Sequence, residues 1–590
     1  MSAENTDGTR RSRHWFAEQD LPGFLHRAAL TASGLSRASI EGRPIIGICS
    51  SWSEMVSCNV HFRALSDAIR RGVLQAGGVP CEFPTITLGE NLMKPTAMLY
   101  RNLMAMDVEE SIRAYPFDGV VLLGGCDKTG PAQLMGAASA DIPAIMVTGG
   151  PANPAIFRGR KLGVGTDLWH YVEELRSGRM AKEEFDELEA ASMPSAGHCP
   201  ELGTASTMAT VTEALGMSLP GSATISATDA RRLHAAEQAG AQAVTLARQD
   251  RRPSQILTPA AFDNAVTVLL ASGGSTNAVL HLLALSGRVG AGLTLQQFDE
   301  IAQRTPLIAN IRPSGEHLFE DLHQRGGVPR LMSELRELLH VDTIGVSGQP
   351  LTAILDAATA PGGASLDAVR QVIGTLAAPF GPSGSLAALH GNLAPGGALI
   401  KTSAADPALL QHRGPALVFE GIDDLHQRID DPDLDVGADT VLVLRNVGPV
   451  GGPGMPEWGQ LPIPQKLLTR GVSDMVRISD ARMSGTAFGT VVLHVAPESA
   501  VGGPLGRIRT GDVITLDTAG RRLDVEIADD DLAARPTAPP PSPPTRGYRR
   551  LWVQSVLQAD QGCDFDFLQG AEDGVDNLPT GILHGWQGGW

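Results

Sequence analysis

Between residues 40 and 330 short aliphatic runs alternate with longer stretches of helical periodicity, a pattern that predicts a parallel sheet flanked by helices. Residues 95–115 place apolar positions at helical spacing behind Pro95, a residue suited to a first helical turn, and 131–140 read as another helix. Between them Gly119-Val-Val-Leu-Leu-Gly-Gly125 reads as a buried strand, and Ala144-Ile-Met-Val-Thr148 reads as the next. Cys126 therefore falls just past the carboxyl end of a strand, the edge where open α/β sheets bind ligands. The Gly149-Gly150-Pro151 exit makes a second loop on that side. Beyond residue 380 the texture changes to β-type runs at 416–419, 440–444, 491–495 and 513–516, punctuated by Gly and Pro. The expected architecture is α/β: an α/β/α domain with a parallel sheet over 1–380, then a mostly β, barrel-like domain over 381–590. The proline tract 536–544 reads as an extended connector, and 547–568 as ordered again with a helical run before Cys563. The charged stretch 182–189 reads as a solvated helix face, and no internal repeat is visible.

At 590 residues and 62.0 kDa the chain exceeds what one core serves, in keeping with two domains. A net charge of -18 and a pI near 5.3 argue against nucleic acid or an anionic membrane as partner and favour a small molecule. An acidic protein that binds an acid needs local positive charge, which points to a cation in the site. The opening residues lack the apolar core of a signal peptide, and no apolar run approaches the roughly 18 residues that span a bilayer, so a cytoplasmic location is expected.

Six cysteines are too sparse for a disulfide framework. Cys49 follows an apolar run, and Cys81 and Cys563 lack partners in sequence, so these three read as structural. Cys58, Cys126 and Cys199 differ, because each sits in a polar or glycine-rich stretch: Ser-Cys-Asn-Val-His (57–61), Gly-Gly-Cys-Asp-Lys-Thr-Gly-Pro (124–131) and Gly-His-Cys-Pro (197–200). Free cysteines usually lie among apolar neighbours, so a shared iron-sulfur cluster is the favoured common cause. Three thiolates would leave one iron open to a substrate oxygen, which is Lewis-acid chemistry. The separations of 68 and 73 residues are unlike ferredoxin spacing, and three ordinary thiols are the competing account.

Asp127, Lys128 and Glu90 adjoin the middle cysteine or precede the helix before it. Carboxylates suit Mg²⁺, whereas lysine joins such a shell only as a carbamate; the competing account is an ordinary surface pair or cap. The glycine-rich run 480–490 presents Ser484 and Thr486, which serve either as a metal-assisted base or as turn hydroxyls. Segments 273–277 and 451–457 offer backbone donors for a carboxylate, with Glu457 as an extra acid, and ordinary loops explain them equally well.

Seven segments in order, GGCDKTGPAQLMGAASADIPAI (124–145), GHCPELGTASTMATVTEALG (197–216), GGSTNAVLHLLAL (273–285), ANIRPSGEHLFEDL (309–322), GNLAPGGALIK (391–401), VGGPGMPEWG (450–459) and DARMSGTAFGTVVLHVAPE (480–498), resemble the dihydroxyacid dehydratase and phosphogluconate dehydratase family. Residues 491–505 and 546–568 resemble its sugar-acid (aldonate) dehydratases, the arabinonate and xylonate type. The resemblance implies that Cys58, Cys126 and Cys199 hold a cluster, 2Fe-2S in that branch rather than 4Fe-4S. It implies that Glu90, Asp127 and a carbamylated Lys128 hold Mg²⁺ with Glu457 nearby, that Ser484 is the general base, and that Thr486 is its neighbour. It also implies a site between the two domains and a homodimer or homotetramer. The chain departs at Pro200-Glu201-Leu202, where Met-Thr-Met is expected, and at Ala-Asn-Pro-Ala-Ile after Pro151.

The expected reaction is a hydro-lyase step that dehydrates an aldonic acid to a 2-keto-3-deoxy acid, with Mg²⁺ on the carboxylate and α-hydroxyl, Ser484 alkoxide taking the α-proton and the open iron taking the β-hydroxyl. The alternatives are a branched-chain dihydroxyacid dehydratase or a phosphogluconate dehydratase, the latter calling for a dedicated Arg or Lys set that the sequence does not plainly show. More distant are a non-catalytic iron-sulfur sensor or electron carrier, and a cluster-free binding protein.

Overall fold

The structure, a computed structural model, describes residues 10–358 and 364–570. The outer ends of the expected domains and the first nine residues of the leader reading lie outside that range. Four strands form the first sheet: β1 (Ile45–Ser50), β2 (Val79–Pro84), β3 (Gly119–Gly124) and β4 (Ala144–Thr148), in the order β2-β1-β3-β4 and parallel throughout. Every residue of β1, β3 and β4 is buried, which is why these strands read as continuous apolar runs instead of alternating ones.

Connections fix where the helices lie. The path from β1 through α1 (Phe62–Gln75) to β2 runs one way along the sheet. The paths from β2 through α2 (Arg101–Ala114) to β3, and from β3 through α3 (Thr129–Ala140) to β4, run the other way. With right-handed crossovers α1 covers one face and α2 and α3 the other. The direction reverses between β1 and β3, so the loops leaving these two strands part and open a crevice at the carboxyl edge. Helix α2 begins later than the sequence predicts. Pro95 stands before a 3-10 turn (Ala97–Tyr100), and Thr96 rather than proline starts it, its Oγ1 accepting from Met98 N at 3.2 Å.

The second sheet has eight strands: β5 (Ala387–Leu389), β6 (Gly397–Ile400), β7 (Gln411–Phe419), β8 (Val441–Leu444), β9 (Arg477–Ser479), β10 (Val491–Ala496), β11 (Val513–Asp517) and β12 (Arg522–Val525). Their order is β12-β11-β7-β8-β9-β10-β6-β5, with parallel and antiparallel pairs mixed. His390, one residue past β5, bonds to both sides of Arg522 on β12 through Arg521 O (2.9 Å) and Leu523 N (3.0 Å), which nearly closes the sheet into a barrel. Alternate residues fill the interior, among them Ile400, Val418, Val443 and Ile514. Leu417, Phe419, Leu442 and Leu444 point outward into a separate apolar layer.

Residues 536–545 have no regular structure, as their prolines predict, and Gly547–Ser555 forms a helix after them. Residues 182–191 are helical with a mostly exposed face. No helix among the described residues is long and apolar enough to cross a membrane.

Candidate active site

All four carboxyl ends of the first sheet feed one place. The loop after β1 carries Cys58, the loop after β2 carries Glu90, and β3 leads directly to Cys126, Asp127 and Lys128. The loop after β4 reaches the third cysteine through a bridge between Pro151 and His198, the residue before Cys199. The barrel contributes Glu457 from the loop after β8, and Ser484 and Thr486 from the loop between β9 and β10. A cavity of about 480 Å³ is lined by Cys58, Cys126, Cys199, Glu90, Asp127, Glu457, Ser484 and Thr486, so eight of the nine residues singled out from sequence meet on one wall or another of it. The ninth, Lys128, lies fully buried behind them.

The cysteine loops are held by local chemistry. Asn59 Nδ2 donates to Ser51 O (3.0 Å) and to Thr87 Oγ1 (3.1 Å), which pins the Cys58 loop to the next strand's exit. Gly125 is required because a Cβ there would stand 2.8 Å from Cys58 O. Cys58 is the largest cause raising the Cys126 thiol well above its ordinary value, with burial next. Burial raises Cys199 most, followed by the charges of Glu201 and Cys58. Three thiols in a shared cavity, one of which acts on both of the others, suit a single polynuclear centre. Cys49 and Cys563, by contrast, are buried among apolar residues and pushed up to about 12 by burial, and neither these two nor Cys81 lines the cavity.

The acidic side is tighter. Glu90, Asp127 and Glu457 each offer one oxygen within 4.8 Å of the others. Lys128 Nζ sits among them, paired with Asp127, 3.5 Å from Glu90 Oε2 and 3.7 Å from Glu457 Oε1. Burial works to lower the Lys128 ammonium, but Asp127, Glu90 and Glu457 outweigh it and hold it above its ordinary value. Burial pushes the Glu90 carboxyl up against the pull of Lys128. For Asp127 burial acts upward too, and the Lys128 charge overcomes it to hold the group low. Glu90 Oε2 is buried without a hydrogen-bond partner. Three converging carboxylates, one with a buried oxygen that accepts no hydrogen bond, fit a hard divalent cation such as Mg²⁺.

Several supporting residues were not legible in the sequence. Arg482, fully buried, donates to Met455 O (2.7 Å), Glu457 Oε1 (3.0 Å) and Thr96 Oγ1 (3.0 Å). Thr96 in turn donates to Glu90 Oε1 (2.6 Å), so one guanidinium organises two of the three acids. Asn277 Nδ2 donates to Glu457 Oε1 (3.0 Å), to Met483 O (3.1 Å) and to Thr204 Oγ1 (3.1 Å). The run 273–277 thus serves through the Asn277 side chain and not through backbone donors. The backbone donors of Val450 and Gly451 are taken by Glu498 inside the protein, at 2.8 Å each, and are not free for a ligand. The signal available beforehand was the position of Arg482 and Asn277 inside glycine-rich motifs.

Ser484 Oγ and Thr486 Oγ1 are 2.9 Å apart and line the same cavity as the acids. Gly203, Thr204 and Ala205, at the N-terminus of the helix Thr204–Ala214, line it beside them, and free amides there suit a substrate carboxylate. His198 also lines the cavity; burial holds it down to about 4, so it stays neutral, and its Nε2 has no partner. Glu201, one of the departures noted above, is fully buried, raised to about 7 by burial, and accepts from Gly165 N and from Thr166 N (3.0 Å) at the start of the helix Val164–Arg176.

Two family profiles match the chain: dihydroxy-acid/6-phosphogluconate dehydratase N-terminal over residues 43–354, and its C-terminal counterpart over 371–563. The chain is similar to 6-deoxy-6-sulfo-D-gluconate dehydratase of Pseudomonas putida, 48% identical over 95% of this chain and 97% of the relative. It is 47% identical to L-arabinonate dehydratase of Rhizobium leguminosarum bv. trifolii, over 95% and 96% of the two chains. Dihydroxy-acid dehydratase of Halothermothrix orenii is 37% identical, over 91% and 97%.

Proposed function

The chain belongs to the dihydroxy-acid/6-phosphogluconate dehydratase family, and from that footing we propose that it is a hydro-lyase that dehydrates an aldonic acid to a 2-keto-3-deoxy acid. The observation that carries this reading is the convergence of three thiols and three carboxylates on one cavity that also holds the Ser484–Thr486 pair. The names of relatives at 47% and 48% identity, acting on a sugar acid in each case, support the aldonate over a branched-chain acid.

In this reading Glu90, Asp127 and Glu457, joined by Lys128 carboxylated on Nζ, would hold Mg²⁺, and Cys58, Cys126 and Cys199 would hold an iron-sulfur cluster of the 2Fe-2S type. Together these groups would supply Lewis-acid stabilisation of the enolate and of the departing hydroxyl. Amides at the start of Thr204–Ala214 orient the carboxylate end. Ser484 Oγ, as the alkoxide, takes the proton from C2, and Thr486 Oγ1 lies within hydrogen-bond distance of it at 2.9 Å. The C3–O bond breaks with its electron pair, so a proton from C2 and hydroxide from C3 leave as water. The resulting enol tautomerises to the 2-ketone, with no net oxidation or reduction.

Replacing Ser484 with Ala is expected to lower turnover by roughly a hundred- to ten-thousand-fold, the range for a lost general base. Keto-acid release is the assay, and the visible absorption of the holoenzyme should stay unchanged. Turnover within a few-fold of the parent would remove Ser484 from the base role.

A further inference from the structure

The two ends of the cavity differ in kind. Its floor holds the reacting groups, while its mouth is ringed by Met55, Val60, Leu92 and Met193, large apolar side chains that are 39% to 67% exposed. Four such side chains around one opening are more than scattered surface hydrophobics and mark a contact for something apolar. Charge points the same way. Glu54, Glu90, Asp127 and Glu457 line the cavity, and among the described residues no Lys or Arg does. The cations behind the floor are already engaged, Lys128 with its three carboxylates and Arg482 with Met455, Glu457 and Thr96. Arg63, in the first turn of α1, stacks over Trp52 at 3.7 Å, and neither it nor Lys94 is in the lining. The helix N-terminus that could meet an anion lies at the reacting end, where a Cβ on Gly203 would stand 2.8 Å from Thr486 Cγ2.

The geometry points to a substrate with a single negative charge, the carboxylate at the floor, and an uncharged apolar far end at the mouth: a 6-deoxyhexonate in preference to a hexonate, and either one far above a hexonate bearing a 6-phosphate or a 6-sulfonate. This deepens the proposed function and rests on it. A phosphate or sulfonate at the mouth would face methionine, leucine, valine and the Glu54 carboxylate with no guanidinium fork to receive it, and a second negative charge there meets repulsion with no pairing to offset it.

The test measures kcat/KM of the holoenzyme over matched acids: a 6-deoxyhexonate, the parent hexonate, its 6-phosphate and its 6-sulfonate, with a branched-chain dihydroxy acid alongside. The expected order is deoxy above parent, with the charged-end acids at least about a hundred-fold below the parent, the scale on which a site rejects a group it cannot pair. Leu92→Arg should then raise the two charged-end acids about ten-fold relative to the parent. A 6-phosphate or 6-sulfonate processed as well as its parent overturns this inference and leaves aldonate dehydration standing. Turnover of the branched-chain acid with none of the aldonates overturns both.

Discussion

Arg482 shows how much of this site lies in one side chain. Its guanidinium has donors in a fixed fork, and here they reach a carbonyl, the Glu457 carboxylate and the hydroxyl that holds Glu90. A lysine at this position offers a point charge on a flexible stem and cannot span those acceptors. Arg482→Lys is therefore expected to weaken binding of the proposed Mg²⁺ by roughly ten- to a hundred-fold, the usual effect of losing a group that orients metal ligands. The measurement is the Mg²⁺ concentration for half-maximal activity, and a requirement equal to the parent's would show that Glu90 and Glu457 are placed without Arg482. Asn277 supports the same Glu457 oxygen from the other side, so the carboxylate is gripped by two donors before any cation arrives. The spacing of cysteines and acids in sequence gave no hint of this grip, because which donor meets which oxygen is decided by how the barrel loop docks on the first sheet.

At the level of elements, the fully buried strands β3 and β4 were visible because a parallel sheet covered on both faces leaves no polar alternation to confuse. Three-residue strands such as β5 and β9 carry too few positions to show a period, and they became strands only through their neighbours. The helix Val164–Arg176 was equally silent about its task. Its N-terminus is tied to the third cysteine's loop by Glu201, and Thr166 Oγ1 donates to Thr486 O (3.0 Å), so the helix start links that loop to the neighbour of the proposed base. Gly165 is needed between them, since a Cβ would fall 2.3 Å from Thr486 Oγ1. Glu201→Leu would leave two amides, that of Thr166 buried and that of Gly165 partly so, without their acceptor, at about 1–3 kcal/mol for the buried one, and free the helix start to shift. Turnover should fall while the absorption of the proposed cluster persists, and Glu201→Gln, which keeps an acceptor oxygen, should stay close to the parent. Equal losses in both variants would show that bulk, and not the acceptor, matters at this position.

Across the whole molecule, the segment 547–568 joins parts that are far apart in sequence. Trp552 is buried and donates from Nε1 to Pro449 O (2.8 Å) in the barrel, while Gln558 exchanges hydrogen bonds with Glu498. On the other side Arg101 and Asn102 of α2 donate to Cys563 O at 2.8 Å and 2.9 Å. Asp564 receives Arg288 through two bonds of 2.6 Å and 3.0 Å, with both side chains fully buried. Removing one partner of a buried pair leaves the other uncompensated, a loss of about 3–5 kcal/mol. Arg101 directly follows the turn 97–100, whose capping residue Thr96 holds Glu90, so the clasp bears on the acidic site as well as on stability. Asp564→Ala should therefore lower the thermal midpoint and raise the Mg²⁺ requirement together, with Asp564→Asn between it and the parent because one acceptor remains. A lowered midpoint with an unchanged Mg²⁺ requirement would confine the clasp to stability. An unchanged midpoint would mean that Glu109 and Ser139, which also bond Arg288, carry the guanidinium without Asp564.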